Sequence, residues 1–120
     1  MKDDKVVVKT AGIHIEVGLN SQQTPVRMTW TAEDTPGGSA PQEMKAVLMS
    51  FFEKETLETM KIDLWTNELL TMEMDKFMYY TLRALSDTYL RATNNKELAE
   101  DMQRFSQYFG EQTEILPRTA

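Results

Sequence analysis

The spacing of apolar residues changes once along this 120-residue chain, near position 70, and that change restricts the folds it can adopt. Before this point apolar and polar residues alternate, which is typical of strands with one buried face. After it apolar residues recur every three to four positions, which is typical of amphipathic helices. Strands followed by helices predict an α+β fold, in which two C-terminal helices pack on one face of an antiparallel sheet.

Four strands are predicted in the first part of the chain. Alternation places the first at 13–19 and the second at 26–31, and the polar turn between them predicts a hairpin. The third is expected at 45–52 and the fourth at 57–65. Short connections favour antiparallel neighbours. The apolar residues 6–8 either extend the first strand or form an additional edge strand.

The chain fits a single domain at this length. We expect the domain to span 12–113, after an N-terminal extension or edge strand at 1–11 and before a tail at 114–120. Two prolines and two glycines between Glu33 and Gln42 predict a loop.

Helix start and stop signals define two helices. Thr71 is the expected N-cap of the first, and Asn94 with Glu97 resembles a capping box at the second, which Gly110 is expected to end. The face of the first helix predicted to be buried consists of Met74, Phe77, Met78, Thr81, Leu82, Leu85, Tyr89 and Ala92. That of the second consists of Leu98, Met102, Phe105 and Phe109.

Charge and composition exclude several classes of protein. The formal net charge of −6 repels phosphate backbones and anionic membrane surfaces, so neither nucleic acid nor membrane is an expected partner. Without cysteine the chain has no disulfide and no thiol nucleophile. No window approaches the roughly 20 apolar residues of a membrane helix. The N-terminal segment lacks the apolar run of a signal peptide, and a cytoplasmic location is expected.

No motif indicates catalysis. His14, the single histidine, falls at an outward position of the first strand, without the partners that a triad or a zinc site requires. The carboxylates are scattered, as on a solvated acidic face. We therefore expect no enzyme activity, no metal and no cofactor. A small hydrolase or isomerase would need a deep pocket with converging carboxylates or His14.

A second stripe on the first predicted helix is the candidate binding surface. Nine methionines are present, and their flexible side chains suit adaptable contacts. Most fall on predicted buried faces, including Met28 and Met60, but Met72 lies on the far side with Tyr79, Arg83 and Leu90. This stripe is predicted to be either a homo-oligomer contact or a partner site. The alternative is a scatter of ordinary surface residues.

Short motifs in a fixed order carry a family resemblance. They are Ile62-Asp63-Leu64-Trp65-Thr66, Glu73-Met74, Ser86-Asp87-Thr88, Arg91-Ala92-Thr93 and the ending Met102, Phe105, Tyr108, Phe109. Over residues 12 to 113 the chain resembles the GldC family of gliding-motility proteins. The resemblance implies participation in bacterial gliding, a process tied to the type IX secretion machinery. Family members lack a signal peptide and are regarded as accessory components, and no catalytic residue is carried over.

Within the first of these motifs, Asp63 and Trp65 are expected to share one strand face, opposite Ile62 and Leu64. They are recognition candidates if that face is open, whereas Trp65 packs under the first helix in the alternative arrangement. The leading hypothesis is a cytoplasmic, non-enzymatic protein that binds a component or client of the gliding machinery. The alternative is a general holdase for unfolded chains, since the layout is loosely similar to the export chaperone SecB.

Overall fold

The computed structural model describes residues 2–33 and 40–117, and it confirms the α+β class. Its elements are a 3-10 turn at Lys2–Lys5, β1 Ile13–Leu19, β2 Pro25–Ala32, β3 Gln42–Met44, β4 Ala46–Phe52, β5 Thr59–Trp65, α1 Thr71–Thr93 and α2 Lys96–Gln112. The chain divides into two compact units, Met1–Leu69 with the strands and Leu70–Ala120 with the helices. The expected packing of the helices on a sheet face stays a prediction.

The first sheet has the order β1-β2-β3, with both pairs antiparallel. The predicted hairpin of β1 and β2 is confirmed. Its turn is held by Asn20, whose Oδ1 accepts hydrogen bonds from the backbone N–H groups of Gln22 (2.9 Å) and Thr24 (3.1 Å). Met28 of β2 is 1% exposed, as expected for a core residue, and lies opposite Met44 of β3.

The structure differs from the prediction at two places around this sheet. Strand β3 was not predicted, because a three-residue strand is too short to show an alternation. It begins at Gln42, inside the predicted loop, and positions 34–39 of that loop lie outside the described residues. Residues 6–8 form no strand and are exposed.

The second sheet is the antiparallel hairpin of β4 and β5, with Met49 opposite Ile62. The predicted single sheet is therefore two sheets, and the fourth predicted strand starts later than expected. Leu57 has a φ of 60° in the turn, so β5 starts at Thr59. Met60, predicted to be buried, is 64% exposed.

Two consecutive asparagines connect the helices. Asn94 ends α1 in the left-handed conformation (φ 56°), and Asn95 is the N-cap of α2, where its Oδ1 accepts from the N–H of Leu98 at 3.1 Å. The predicted cap at Asn94 was therefore wrong by one residue. Thr71 is not the cap of α1 either. Leu70 occupies that position, and its N–H donates to the Glu73 carboxylate at 2.9 Å.

Four small residues and one tyrosine form the seam between α1 and α2. The buried residues of the two helices are Tyr79, Ser86, Ala99, Ser106 and Gly110. Tyr79 and Ser86 are seven residues apart, as are Ala99 and Ser106, and this spacing keeps each set on one side of its helix. Small side chains let the backbones approach closely. At the seam Ser86 Oγ donates to the carbonyl of Arg83 at 2.9 Å and receives a hydrogen bond from the Gln103 amide.

Gly110 does not end the second helix, contrary to the prediction. The helix continues to Gln112, and a Cβ at position 110 would lie 2.7 Å from Cε1 of Tyr79 and 2.8 Å from Cδ1 of Leu116. The N–H of Leu116 donates to the carbonyl of Gly110 at 2.9 Å. The first residues of the expected tail thus pack against the helix pair, and 118–120 lie outside the described residues.

Candidate functional site

Residues predicted to form the helical core instead border an open, apolar groove beside the seam. The groove has a volume of about 510 Å³. That volume falls in the range of small-molecule sites. It is lined by Leu82, Tyr89, Leu98, Asp101, Met102, Phe105 and Ser106. Two stripes, one from each helix, therefore converge on a single concave surface.

The large side chains of this groove are only partly removed from solvent. Leu98 is 49% exposed and Phe105 is 53% exposed, so their predicted burial was wrong. The small seam residues occupy the positions of closest approach, and the larger ones lie along its flank. The Phe105 ring centroid is 6.2 Å from that of Tyr108 and 6.4 Å from that of Phe109, so aromatic rings surround the one phenylalanine that lines the groove.

The other side of the seam is polar. A cleft of about 320 Å³ there is lined by Tyr79, Arg83, Gln103, Gln107, Leu116 and Pro117. Nη1 of Arg83 lies 3.4 Å from the Tyr79 hydroxyl, and its Cζ is 5.8 Å from the ring centroid. The helix pair thus presents one apolar and one polar side. The apolar side is the better candidate for recognition.

The groove carries a single charged lining residue, Asp101, which forms an ion pair with Arg104 on the same helix. Among residues 2–33 and 40–117, no group of three or more His, Cys, Asp or Glu side chains is placed to hold a metal ion. Neither of the two long helices described has the length and apolarity needed to cross a membrane.

The second stripe predicted on the first helix does not form one exposed surface. Met72 is 68% exposed, whereas Tyr79 is 2% exposed and lies in the seam, so its expected exposure was wrong. Arg83 is exposed beside Tyr79, and Leu90 is half-buried. Whether Met72, Arg83 or Leu90 contacts a partner stays a prediction.

Asp63 and Trp65 lie on the same face of β5, as expected from the strand period. Trp65 is 50% exposed, and the Asp63 side chain is 41% exposed and pairs with the Lys61 ammonium. Their role in recognition stays a prediction. His14 faces solvent as expected: its side chain is 70% exposed, and Nε2 lies 2.9 Å from a carboxylate oxygen of Glu16.

Sequence reasoning identified the residues of the groove but assigned them to the core. The missed signal is the seven-residue spacing of two small side chains, Ala99 and Ser106, on the second helix, together with Ser86 on the first. Small residues at this spacing indicate which side of each helix lies closest to its neighbour. The apolar stripes then have to lie beside that seam.

Comparison with known proteins identifies a family for this chain. The model of a family described as gliding motility-associated protein GldC-like matches residues 25–115. The match begins later than the resemblance seen in the sequence and leaves β1 outside it. Neither a curated protein nor a solved structure matches the chain significantly.

Proposed function

Because this chain belongs to the GldC-like family of gliding motility-associated proteins, we propose that it supports gliding as a non-enzymatic accessory protein that binds a protein partner. The apolar groove between α1 and α2 is the observation that carries this proposal. The proposal places the protein in the cytoplasm. It links the partner to the type IX secretion machinery, as an apparatus component or as a client.

The geometry of the groove favours an amphipathic helix as its occupant. Leu98, Met102 and Phe105 follow the i, i+4, i+7 spacing of one helical stripe, and Leu82 and Tyr89 repeat at i, i+7 on the facing helix. A third helix with an apolar stripe can lie between two such rows and complete a three-helix arrangement. Its apolar side chains would cover the exposed parts of Leu98 and Phe105.

Charge adds a second property to this partner. The chain carries a net charge of −6, and Asp101 lines the groove. A partner helix with lysine or arginine beside its apolar stripe would be attracted on approach and oriented on binding. Since this attraction acts through solvent, salt should slow association more than it speeds dissociation.

The test is recovery of the partner with the tagged protein from its native cells, followed by mass spectrometry. Three versions are compared: wild type, Phe105→Lys and Gln107→Lys. The first substitution puts a charge on the apolar wall, and the matched control puts the same charge on the polar side of the same helix. We expect Gln107→Lys to retain the partner and Phe105→Lys to lose it by tenfold or more, which is about 1.4 kcal/mol of binding free energy.

Loss of one or two motility or secretion proteins with Phe105→Lys alone would support the proposal. Equal recovery by all three versions would contradict it. A broad population of unrelated unfolded chains would indicate the holdase instead. Folding is checked by far-UV circular dichroism, because a variant that unfolds reports nothing about the groove.

A further inference from the structure

Within the described part of the chain, one edge of β5 makes no backbone hydrogen bonds. The hydrogen bonds at both ends of the β4–β5 hairpin show which residues have backbone groups at this outer edge. The N–H of Thr66 donates to the backbone carbonyl of Lys45, and the N–H of Glu53 donates to that of Glu58, both at 2.8 Å. Bonded and non-bonded pairs alternate between these two points. Ile62 and its even-numbered neighbours therefore bond to β4, and the backbone groups of Lys61 and Asp63 point away from it.

No other described strand pairs with this edge, since the sheet contains β4 and β5 alone. The side chains there are accessible, with Lys61 61% exposed and Asp63 41% exposed. An open edge is a template for a further strand. A two-stranded hairpin is also marginal by itself, so added strands would stabilise it.

The charges on β5 suit this edge to a second copy of the same strand. When two copies run antiparallel about a two-fold axis through Ile62, Lys61 of each faces Asp63 of the other. The pairs exchange backbone hydrogen bonds, because both residues have outward-pointing groups. Ile62 then meets Ile62, and Met60 meets Leu64. Each opposition is favourable, and the surface is self-complementary, as a two-fold interface requires.

We propose that the protein forms a two-fold homodimer through antiparallel pairing of its β5 edges, in the register that places Lys61 opposite Asp63. The result is a four-stranded sheet in the order β4-β5-β5-β4. Its apolar face joins Met60 and Ile62 of both copies, which are 64% and 45% exposed in the single chain.

The outer edges of β4 and β1 lack this complementarity. Strand β4, AVLMSFF, contains no charged residue to fix a register. Strand β1, IHIEVGL, carries Glu16 but no lysine or arginine that could face it across a two-fold axis. Variants of these two strands serve as controls for the β5 edge.

The first test is charge reversal, followed by sedimentation equilibrium over a range of concentrations. We expect the mass of the wild type to rise from 13.9 kDa towards twice that value. Lys61→Asp or Asp63→Lys places like charges opposite each other at two symmetric points, and should weaken the dimer about tenfold. The double exchange restores opposite charges and should recover the wild-type constant. Glu16→Lys, on β1, should leave it unchanged.

A monomeric wild type at all concentrations would overturn the proposal. Single reversals that have no effect would overturn it too, as would a double exchange that fails to restore the dimer. Weakening by Glu16→Lys but not by Lys61→Asp would assign the contact to β1. Far-UV circular dichroism of each variant confirms that it is folded.

A cross-link tests the register independently. In the proposed sheet the two Ile62 residues form a non-bonded pair with Cα atoms roughly 4.5 Å apart, within the span of a disulfide. Since the chain has no cysteine, Ile62→Cys introduces a single thiol. It should give a covalent dimer on mild oxidation, whereas Met49→Cys, at the matching position of β4, should not. Cross-linking through Met49→Cys alone would overturn the proposal in favour of the β4 edge.

Discussion

At position 110 the absence of a side chain sets the approach of α1 to α2. The ring of the buried Tyr79 and the side chain of Leu116 both occupy the space that a Cβ would take. In a helix interior glycine is otherwise unfavourable, by about 1 kcal/mol relative to alanine. Close packing, not helix termination, therefore explains this residue.

Gly110→Ala should destabilise the helical unit by about 1–3 kcal/mol, because the overpacking cost exceeds the gain in helix propensity. The measurement is urea unfolding followed by circular dichroism at 222 nm. Glu100→Ala, at an exposed position of the same helix, is the control and should stay within about 0.5 kcal/mol of wild type. A stabilised Gly110→Ala protein would show that Tyr79 and Leu116 can move aside.

The same residue shows where sequence reasoning reaches its limit. A glycine after an apolar stripe is a good indication of a helix end, and nothing local distinguishes it from a glycine at a close contact. The distinction depends on Tyr79, which is 31 positions earlier in the chain. Phe105 shows the converse. Periodicity placed Phe105 correctly on the apolar stripe of α2. Its exposure depended on where α1 packs against α2, which the local sequence does not show.

At the scale of elements, alternation and periodicity located four of the strands and both helices, because these patterns reflect local geometry. They failed for β3, which is too short for a pattern, and at the helix connection, where two asparagines each have cap chemistry. The structure separates the two roles. Asn94 adopts the left-handed conformation and Asn95 accepts the capping hydrogen bond.

Because of these two roles, substitutions at positions 94 and 95 should change the stability of the protein differently. Asn95→Ala should cost about 1 kcal/mol, because the N–H of Leu98 loses its acceptor. Asn94→Gly should be neutral or slightly stabilising, since glycine adopts a positive φ without strain. Thermal unfolding at 222 nm compares the two variants. A larger loss of stability from the substitution at position 94 would mean that Asn94, as the sequence suggested, is the N-cap of α2.

The groove and the seam are each formed by the two helices together, and neither exists on one helix alone. Each helix supplies a row of buried residues, and beside it lies a row of larger, partly exposed apolar ones. Pairing the buried rows leaves the apolar rows side by side, and the apolar surface between them is a consequence of close packing. A sequence that placed large residues at 86, 99 or 106 would separate the helices and lose this geometry.

At the scale of the whole molecule, the two proposed surfaces belong to different compact units. The groove is built from residues of the helical unit, and the β5 edge belongs to the strand unit. The net charge of −6 acts on both. It opposes self-association in general, so a dimer needs a specific contact such as the Lys61–Asp63 pairs.

The two surfaces should therefore be separable by mutation. Phe105→Lys should lose the partner and still sediment as a dimer, whereas Lys61→Asp should be weakened as a dimer and still recover the partner at high protein concentration. Because each substitution lies in its own compact unit, we expect the two effects to add, so the double variant should show both losses without further change. Sedimentation equilibrium measures dimerisation, and recovery from native cells measures partner binding. If either single substitution abolished both properties, groove and edge would be parts of one surface, and the assignment of a separate task to each unit would be wrong.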